Sequence, residues 1–295
     1  MRNFIFPLTI LFIIKSNVYG NRNAFTSPSC FSMGGAGSLF LSANAQIKNP
    51  AIFNKSRSIT TSVVRYPASI SSQSLNLNFP LENLVFSSSF KHISYGIFKG
   101  YNEIGEDIGS YRSNESWADG YLSKKMNSYP IFFGSGVSFK SANFSSLNIK
   151  TFASSIGAIG YFKNKNNAVG FSINQIGLKL TNQQLSYISP NFILGGSKKL
   201  NYLPAIIYFD ILTEKKYKTE VFMGACLSLN KNIKILAGSS NRKIDQNTSQ
   251  SLFRSMLGAT GFGFIYDFNQ ILVQYGFYYY GVGIRVDGLS IGIDF

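Results

Sequence analysis

Alternation of apolar residues with small or polar ones runs through most of the chain, and it constrains the fold more than any other sequence feature. The odd-numbered residues are all apolar in 221–229 and all apolar or aromatic in 271–279, whereas Gly224, Gln274 and Gly276 occupy even-numbered positions. A repeat of two residues is that of a β-strand, whose side chains point alternately to opposite faces. We therefore predict an all-β fold.

Composition indicates what surrounds these strands. The chain is 45% apolar and 15% aromatic but only 14% charged, whereas a soluble domain carries about 25% charged residues. No apolar run reaches the roughly 18 residues of a transmembrane helix, and 27 Phe with 17 Tyr are too many for a disordered chain. Strands with one apolar face and one small, polar face are typical of a transmembrane antiparallel β-barrel with lipid outside and a polar lumen inside.

The length of the chain sets the number of strands. A membrane-spanning strand needs about 10 residues, so about 14 strands, within a range of about 12 to 16, fit the chain with connections of ordinary length. We predict a signal peptide at 1–20, an amino-terminal segment at 21–57 and the barrel at 58–295.

The start of the chain predicts export. Arg2 supplies a positive charge, Phe4–Ile14 form an apolar core and Val18–Gly20 form a cleavage site, which is the pattern of a secretory signal peptide. We therefore expect cleavage near Gly20 and a location in the outer membrane of a Gram-negative bacterium, in contact with outer-membrane lipid.

The chain is basic, with a net charge of +15. Its lysines and arginines are spread along the sequence, whereas nucleic-acid binding needs a clustered basic patch. We expect no nucleic-acid partner, and attraction to anionic lipid headgroups fits this charge better.

The last strand carries a second targeting feature. Apolar residues alternate on one face up to the terminal aromatic residue, which resembles the assembly signal of bacterial outer-membrane barrels and implies the barrel-assembly machinery as a partner during biogenesis. The residues of this signal are Leu289, Ile291, Ile293 and Phe295.

The sequence contains no recognisable catalytic, metal-binding or cofactor-binding motif. His92 is the single histidine, and we place it at a turn or in the lumen, near a strand Leu84–Lys91 that pairs with Ile93–Phe98. The HExxH and CxxC patterns are absent, and the one GxSxG match, at 288–292, lies within the alternating last strand rather than at a strand-to-helix turn. We predict a protein that is not an enzyme and holds neither a metal nor a cofactor.

Two cysteines, Cys30 and Cys226, are far apart in the sequence. An exported protein could oxidise them to one disulfide, but two cysteines make no disulfide framework. We favour two unpaired, small apolar residues.

Acidic residues concentrate between Tyr101 and Gly120. We predict an exposed or lumen-mouth loop that contacts a partner, because loops often carry function; a simple solvated loop is the alternative. The acids are Glu103, Glu106, Asp107, Glu115 and Asp119.

Residues 32–51 resemble the amino-terminal segment of the long-chain fatty-acid transporter superfamily of barrels. There, a Met-Gly-Gly-Ala sequence is followed by Asn-Pro-Ala, and the segment plugs or lines a 14-stranded barrel. The resemblance implies a plug at 21–57, with the matching residues Met33, Gly34, Gly35, Ala36, Asn49, Pro50 and Ala51.

Three further stretches, Gly100–Leu122, Ser189–Pro204 and Gly261–Phe295, resemble the PorQ- and PorV-like outer-membrane barrels of the type IX secretion system. This resemblance implies a non-enzymatic component of the secretion and cell-surface attachment machinery, which anchors a surface protein of that system. The alternative function is that of the wider superfamily, a transporter or channel for hydrophobic compounds.

Overall fold

The computed structural model of the protein describes residues 25–42, 47–101, 104, 106–126, 129–144, 147–162, 167–215, 219–241, 259–280 and 285–295. The predicted signal peptide and Glu103 lie outside these residues. No helix in this part of the chain is long and apolar enough to cross a membrane. The elements are α1 (Pro28–Ser32), β1 (Ser58–Arg65), β2 (Ser71–Leu81), β3 (Leu84–Tyr101), β4 (Asp107–Lys125), β5 (Ile131–Phe144), β6 (Leu147–Tyr161), β7 (Ala168–Thr181), β8 (Gln184–Tyr187), β9 (Asn191–Lys199), β10 (Ala205–Glu214), β11 (Glu220–Ser228), β12 (Ile233–Ser240), β13 (Thr260–Phe268), β14 (Ile271–Tyr279) and β15 (Arg285–Asp294).

The strands form one closed antiparallel ring. From β1 to β7 and from β9 to β15 each strand pairs with its sequence neighbours, β7 pairs with β9, and β1 pairs with β15, so that Ser58 lies opposite Asp294. Within the described residues β8 pairs only with β7, which continues in the ring through β9. The ring therefore contains 14 of the strands of this sheet, and the predicted antiparallel β-barrel is confirmed.

The two faces of the ring differ as the alternation predicts. Leu289, Ile291 and Ile293 of β15 are each close to half exposed on the outer face, whereas Val286 and Ser290 are buried on the inner face. A barrel in lipid needs an apolar outer surface and satisfies its backbone polar groups by closing the sheet. Phe295 is also exposed, and the role of these terminal residues in assembly stays a prediction.

The described residues before β1, 25–42 and 47–57, lie inside the ring. Thr26 accepts a hydrogen bond from Ser74 of β2, and Met33 packs against β11 and β12. Helix α1 contacts β12, β13, β14 and β15, and residues 49–51 contact β5, β6 and β7. A segment that touches strands all around a closed ring, and is itself buried, occupies the lumen. We call residues 25–42 and 47–57 the plug.

The two ends of the barrel are unequal. At the end that holds the start of β1 and the end of β15, here called the terminus rim, the connections 82–83 and 269–270 are short turns. At the opposite end, here called the loop rim, β3 and β4 are 18 and 19 residues long. A spanning strand needs only about 10 residues, so this hairpin extends well beyond the membrane-spanning part of the wall.

The predicted strand pairing around His92 is wrong. Strand β3 runs through this residue without a turn, and His92 lies opposite Gln73 of β2 and Ser116 of β4. Alternation continues on both sides of His92, which is exposed on the outer face where Phe90 precedes it. The polar residue therefore marks a change in the surroundings of the strand rather than its end.

The predicted acidic loop is also wrong in part. Glu115 and Asp119 lie within β4 and are buried on its inner face, because their odd-numbered positions alternate with outward residues of the same strand. Glu106 and Asp107 lie at the tip of the β3–β4 hairpin and are exposed. The predicted contact of these residues with a partner stays a prediction.

Candidate functional site

The Met33–Ala36 motif forms a tight turn directly after α1. Gly34 and Gly35 have positive φ angles of 65° and 97°, which L-residues with a side chain rarely adopt. The turn is closed by hydrogen bonds from Gly34 N–H to the carbonyl of Phe31 at 2.9 Å and from Gly35 N–H to that of Cys30 at 2.8 Å. The glycines thus let the plug reverse direction within the narrow lumen.

Glycines of the wall receive the plug. A side chain at Gly238 of β12 would overlap the backbone of Met33, and one at Gly261 of β13 would overlap the carbonyl of Phe31. On the other side of the lumen, a side chain at Gly134 of β5 would overlap the backbone of Pro50. The contact of these wall glycines with the plug was not predicted from the sequence.

The Asn49–Ala51 motif holds the end of the plug against β6 and β7. The Asn49 amide donates to the carbonyls of Ala158 and Phe171 at 3.3 and 3.2 Å, while its oxygen accepts from the Ala51 N–H at 2.9 Å. Asn49 and Ala51 are buried, together with Met33 and Ala36. The two halves of the predicted plug motif therefore contact different sectors of the wall.

One carboxylate of the wall binds the plug backbone. Asp210 of β10 is only 1% exposed, and it accepts hydrogen bonds from the N–H groups of Gly37 and Ser38, both at 2.8 Å, and from the Ser38 hydroxyl at 2.6 Å. Sequence analysis missed this residue, although a lone acid in an apolar strand is a signal that could have identified it.

The lumen has an apolar sector. Side chains of the plug pack against inward-facing apolar residues of β6 and β7 and of β9 to β13. Two charged groups border this sector: Asp210 binds the plug backbone, and Lys48 lies 4.8 Å from the centre of the Phe222 ring. The buried members of this sector are Met33, Ala36, Leu39, Phe40, Ala51, Ile159, Ala168, Ile193, Tyr208, Leu212, Phe222, Cys226, Leu236 and Ile265.

The lumen also has a polar sector on β3, β4 and β5. Lys91 and Asp119 form an ion pair at 2.8 Å with side chains 12% and 3% exposed, and Asp119 also accepts a hydrogen bond from Ser138 at 2.5 Å. Lys140 pairs with Glu115 at 2.7 Å. Each of these charges on the inner wall is thus neutralised by a neighbouring strand.

Neither cysteine is paired. Cys30 and Cys226 are both free and buried, which agrees with the favoured interpretation. Among the described residues, His, Cys, Asp and Glu side chains form no group that could hold a metal ion.

Comparisons with known proteins identify the class of fold. No family model and no curated protein matches the chain. Two solved structures of deletion variants of TodX, described as a monoaromatic hydrocarbon channel, match with TM-scores of 0.56 and identities of 12% and 13%, covering 86% and 90% of this chain and 95% and 96% of theirs. A FadL homologue from Pseudomonas aeruginosa matches with a TM-score of 0.58 and 11% identity, covering 92% of this chain and 98% of its own.

These neighbours are FadL-family outer-membrane barrels. At 11 to 13% identity the likeness shows that this chain has the fold of an outer-membrane β-barrel, and the similarity extends over nearly the whole length of each neighbour.

Proposed function

We propose that the protein is a non-enzymatic, plugged channel of the outer membrane that admits hydrophobic compounds. The observation that carries this proposal is the ring of 14 strands closed around an amino-terminal plug, in a fold shared with TodX and with a FadL homologue. TodX is described as a hydrocarbon channel, and the wall and plug of this chain meet in an extended apolar sector.

The surface of the barrel supports a membrane location. Its outer face carries exposed Phe, Leu, Ile and Val side chains on every sector of the ring, as lipid contact requires. In bacterial barrels the short turns face the periplasm and the longer loops face outward. We therefore assign the terminus rim to the periplasm and the loop rim to the cell exterior.

The lumen suggests where a hydrophobic compound would pass. The apolar sector between the plug and β6 to β13 offers an extended set of apolar contacts, whereas a path along β3 to β5 would meet the ion pairs of Lys91 and Lys140. Because Asp210 and Asn49 fix the plug to the wall, we propose that passage requires these contacts to loosen.

Uptake by cells tests the proposal. A deletion strain and a complemented strain are compared for uptake of a labelled long-chain fatty acid and of labelled toluene. We expect uptake of at least one compound to fall in the deletion strain and to return with the wild-type gene. Unchanged uptake of both compounds would remove the channel function, and outer-membrane fractionation of the protein would separately test its location.

A secretion scaffold is the second candidate. The observation that favours it is the β3–β4 hairpin, which extends beyond the wall and carries the exposed acids Glu106 and Asp107 at its tip. Such a hairpin could hold a surface partner of the type IX machinery.

Two experiments test this second function. The deletion strain would release or accumulate cargo that still has its sorting domain. The variant Glu106→Gln with Asp107→Asn would lose partner proteins on co-purification while the barrel remained folded. Normal cargo handling in the deletion strain would eliminate this function.

A further inference from the structure

The outer face of the barrel has an upper limit to its apolar surface on β5 and β6, where the last large apolar outward residues toward the loop rim are Phe139 and Phe152, both exposed. On β3 a polar stretch follows the exposed Phe90, and the exposed Ile97 lies beyond it. The outward residues next after these three phenylalanines are His92, Ser141 and Lys150. An apolar band in lipid ends where the headgroups begin, so these strands continue from the hydrocarbon region into the headgroup region.

Three exposed cations lie on this outer face at or beyond the limit. They are Lys99 of β3, Arg112 of β4 and Lys150 of β6, and we call them the basic collar. Arg112 lies opposite Ile97, two residues from Lys99, so the two cations are diagonal neighbours roughly 7–8 Å apart at their backbones. None of the three has an ion-pair partner among the described residues.

The acids of these strands face the other way. Glu115 and Asp119 are on the inner face of β4, where they pair with Lys140 and Lys91. Apart from Asp107 at the hairpin tip, β3 to β6 carry no other acid in their described residues. The outer face of this wall is therefore positive while its inner face is neutral.

Hydrogen-bonded amides connect Lys99 and Arg112 of the basic collar to Lys150, its third member. Asn143 donates to Asn114 at 3.5 Å, Asn148 donates to Asn143 at 2.7 Å, and the Asn148 N–H donates to Asn182 at 2.9 Å. Asn114 lies opposite Asn143, which lies opposite Asn148, so this row crosses from the Arg112 strand to the Lys150 strand. The wall between the cations is thus polar and held in register.

We propose that the basic collar binds the phosphate groups of lipid headgroups in the outer leaflet of the outer membrane. Lys150 directly follows the lipid-facing Phe152 on the outer face of β6, and this position selects a lipid rather than a soluble ligand. The unpaired Lys and Arg side chains select an anionic group such as phosphate. This inference rests on the proposed membrane location and orientation, and it does not depend on what the lumen transports.

Binding of lipopolysaccharide to the purified full-length protein in detergent tests this inference. The collar variant Lys99→Ser/Arg112→Ser/Lys150→Ser is compared with the control Lys124→Ser/Lys198→Ser/Lys231→Ser, which removes the same charge from exposed lysines at the terminus rim. Because each cation near an anionic surface contributes to binding, we expect the collar variant to bind at least about tenfold more weakly. The control is expected to bind as wild type does.

Two further probes identify the source of the binding. Dephosphorylated lipopolysaccharide is expected to lose the difference between collar and control variants, and inorganic phosphate is expected not to compete at millimolar concentration. Equal binding by the collar and control variants, or undiminished binding of the dephosphorylated lipid, would overturn the proposal. Effective competition by inorganic phosphate would overturn the assignment to a lipid. Circular dichroism confirms that each variant is folded, and fractionation of cells tests the membrane location independently.

Discussion

The Ser38 hydroxyl in the plug donates a 2.6 Å hydrogen bond to Asp210 in the wall, across 172 positions of sequence. The same carboxylate accepts two backbone N–H groups of the plug. Hydrogen bonds to a charged acceptor each contribute about 1.5–3 kcal/mol, so this single side chain is a principal attachment of the plug. Because these donors compensate the buried carboxylate, the position of the plug is coupled to the stability of β10.

Replacing Asp210 by Asn should loosen the plug without opening the barrel ring. In the Asp210→Asn variant, the amide oxygen can still accept the N–H groups of Gly37 and Ser38, but an NH₂ group replaces the oxygen that accepts the Ser38 hydroxyl, and the negative charge that strengthens all three hydrogen bonds is lost. We expect a loss of stability of about 1–3 kcal/mol and an increase in ion conductance in planar bilayers. Asp287→Asn, at an exposed outward position, is the matched control. Equal conductance of the two variants would show that Asp210 does not hold the plug.

Wall glycines offer a steric test of the plug position. Gly238→Ala would place a methyl group on the backbone of Met33, whereas Gly196→Ala would meet nothing within 4 Å. Overpacking typically costs about 1–3 kcal/mol, so only the first variant should make residues near Met33 accessible to protease while the barrel resists digestion. The same protease resistance in both variants would contradict the close contact between the plug and β12.

The ion pair of Lys91 and Asp119 in the polar sector should contribute to stability, because Asp119 compensates the charge of the nearly buried Lys91. Asp119→Asn would leave Lys91 nearly buried without its partner, which typically costs about 3–5 kcal/mol. Asp119→Asn with Lys91→Met should recover much of this loss. The exposed pair of Arg285 and Asp287, at 3.8 Å, should contribute less than about 1 kcal/mol. Urea unfolding in detergent measures all of these variants, and a double variant no more stable than Asp119→Asn would contradict the assignment.

Both thiols should be present and protected in the folded protein. Cys30 and Cys226 are free and buried, so a thiol-reactive maleimide should label neither in the native state and both after denaturation. Mass spectrometry under non-reducing conditions gives the number of labels. A denatured protein that takes no label before reduction would instead demonstrate a disulfide.

The sequence predicts the barrel well because lipid and lumen impose opposite requirements on alternate residues. This constraint acts along each strand, so Leu289, Ile291 and Ile293 can be assigned to the outer face without knowledge of any neighbour. It fails around Glu115 and Asp119, where the outward residues of the strand are small or polar and the local acidity led to the prediction of a loop.

Contacts between residues far apart in the sequence could not be predicted in the same way. The partner of Asp119 lies 28 positions away in Lys91, and the partner of Asp210 lies in the plug. Nor does the pattern reveal the irregularity in β3, where the register shifts between Ser94 and Gly96 and Gly96 has a φ of 99°. Such features depend on the register between strands, which a single sequence does not fix.

The central claim is that hydrophobic compounds pass the plug. An engineered disulfide that reversibly fixes the plug to the wall tests this claim most directly. A Cβ at Gly195 of β9 would lie 3.3 Å from the Cβ of Ser38, close to the separation of about 3.5–4.5 Å in a disulfide. Ser38→Cys with Gly195→Cys, in a chain whose native cysteines are replaced by Ala, would therefore fix the plug to the wall under oxidising conditions.

The measurement is uptake of labelled toluene and labelled fatty acid into vesicles that contain this variant, before and after reduction. We predict slow uptake in the oxidised state and at least several-fold faster uptake after reduction, with no effect of reductant on the wild-type protein. Uptake that is the same in both states, or no faster than into protein-free vesicles, would contradict the account.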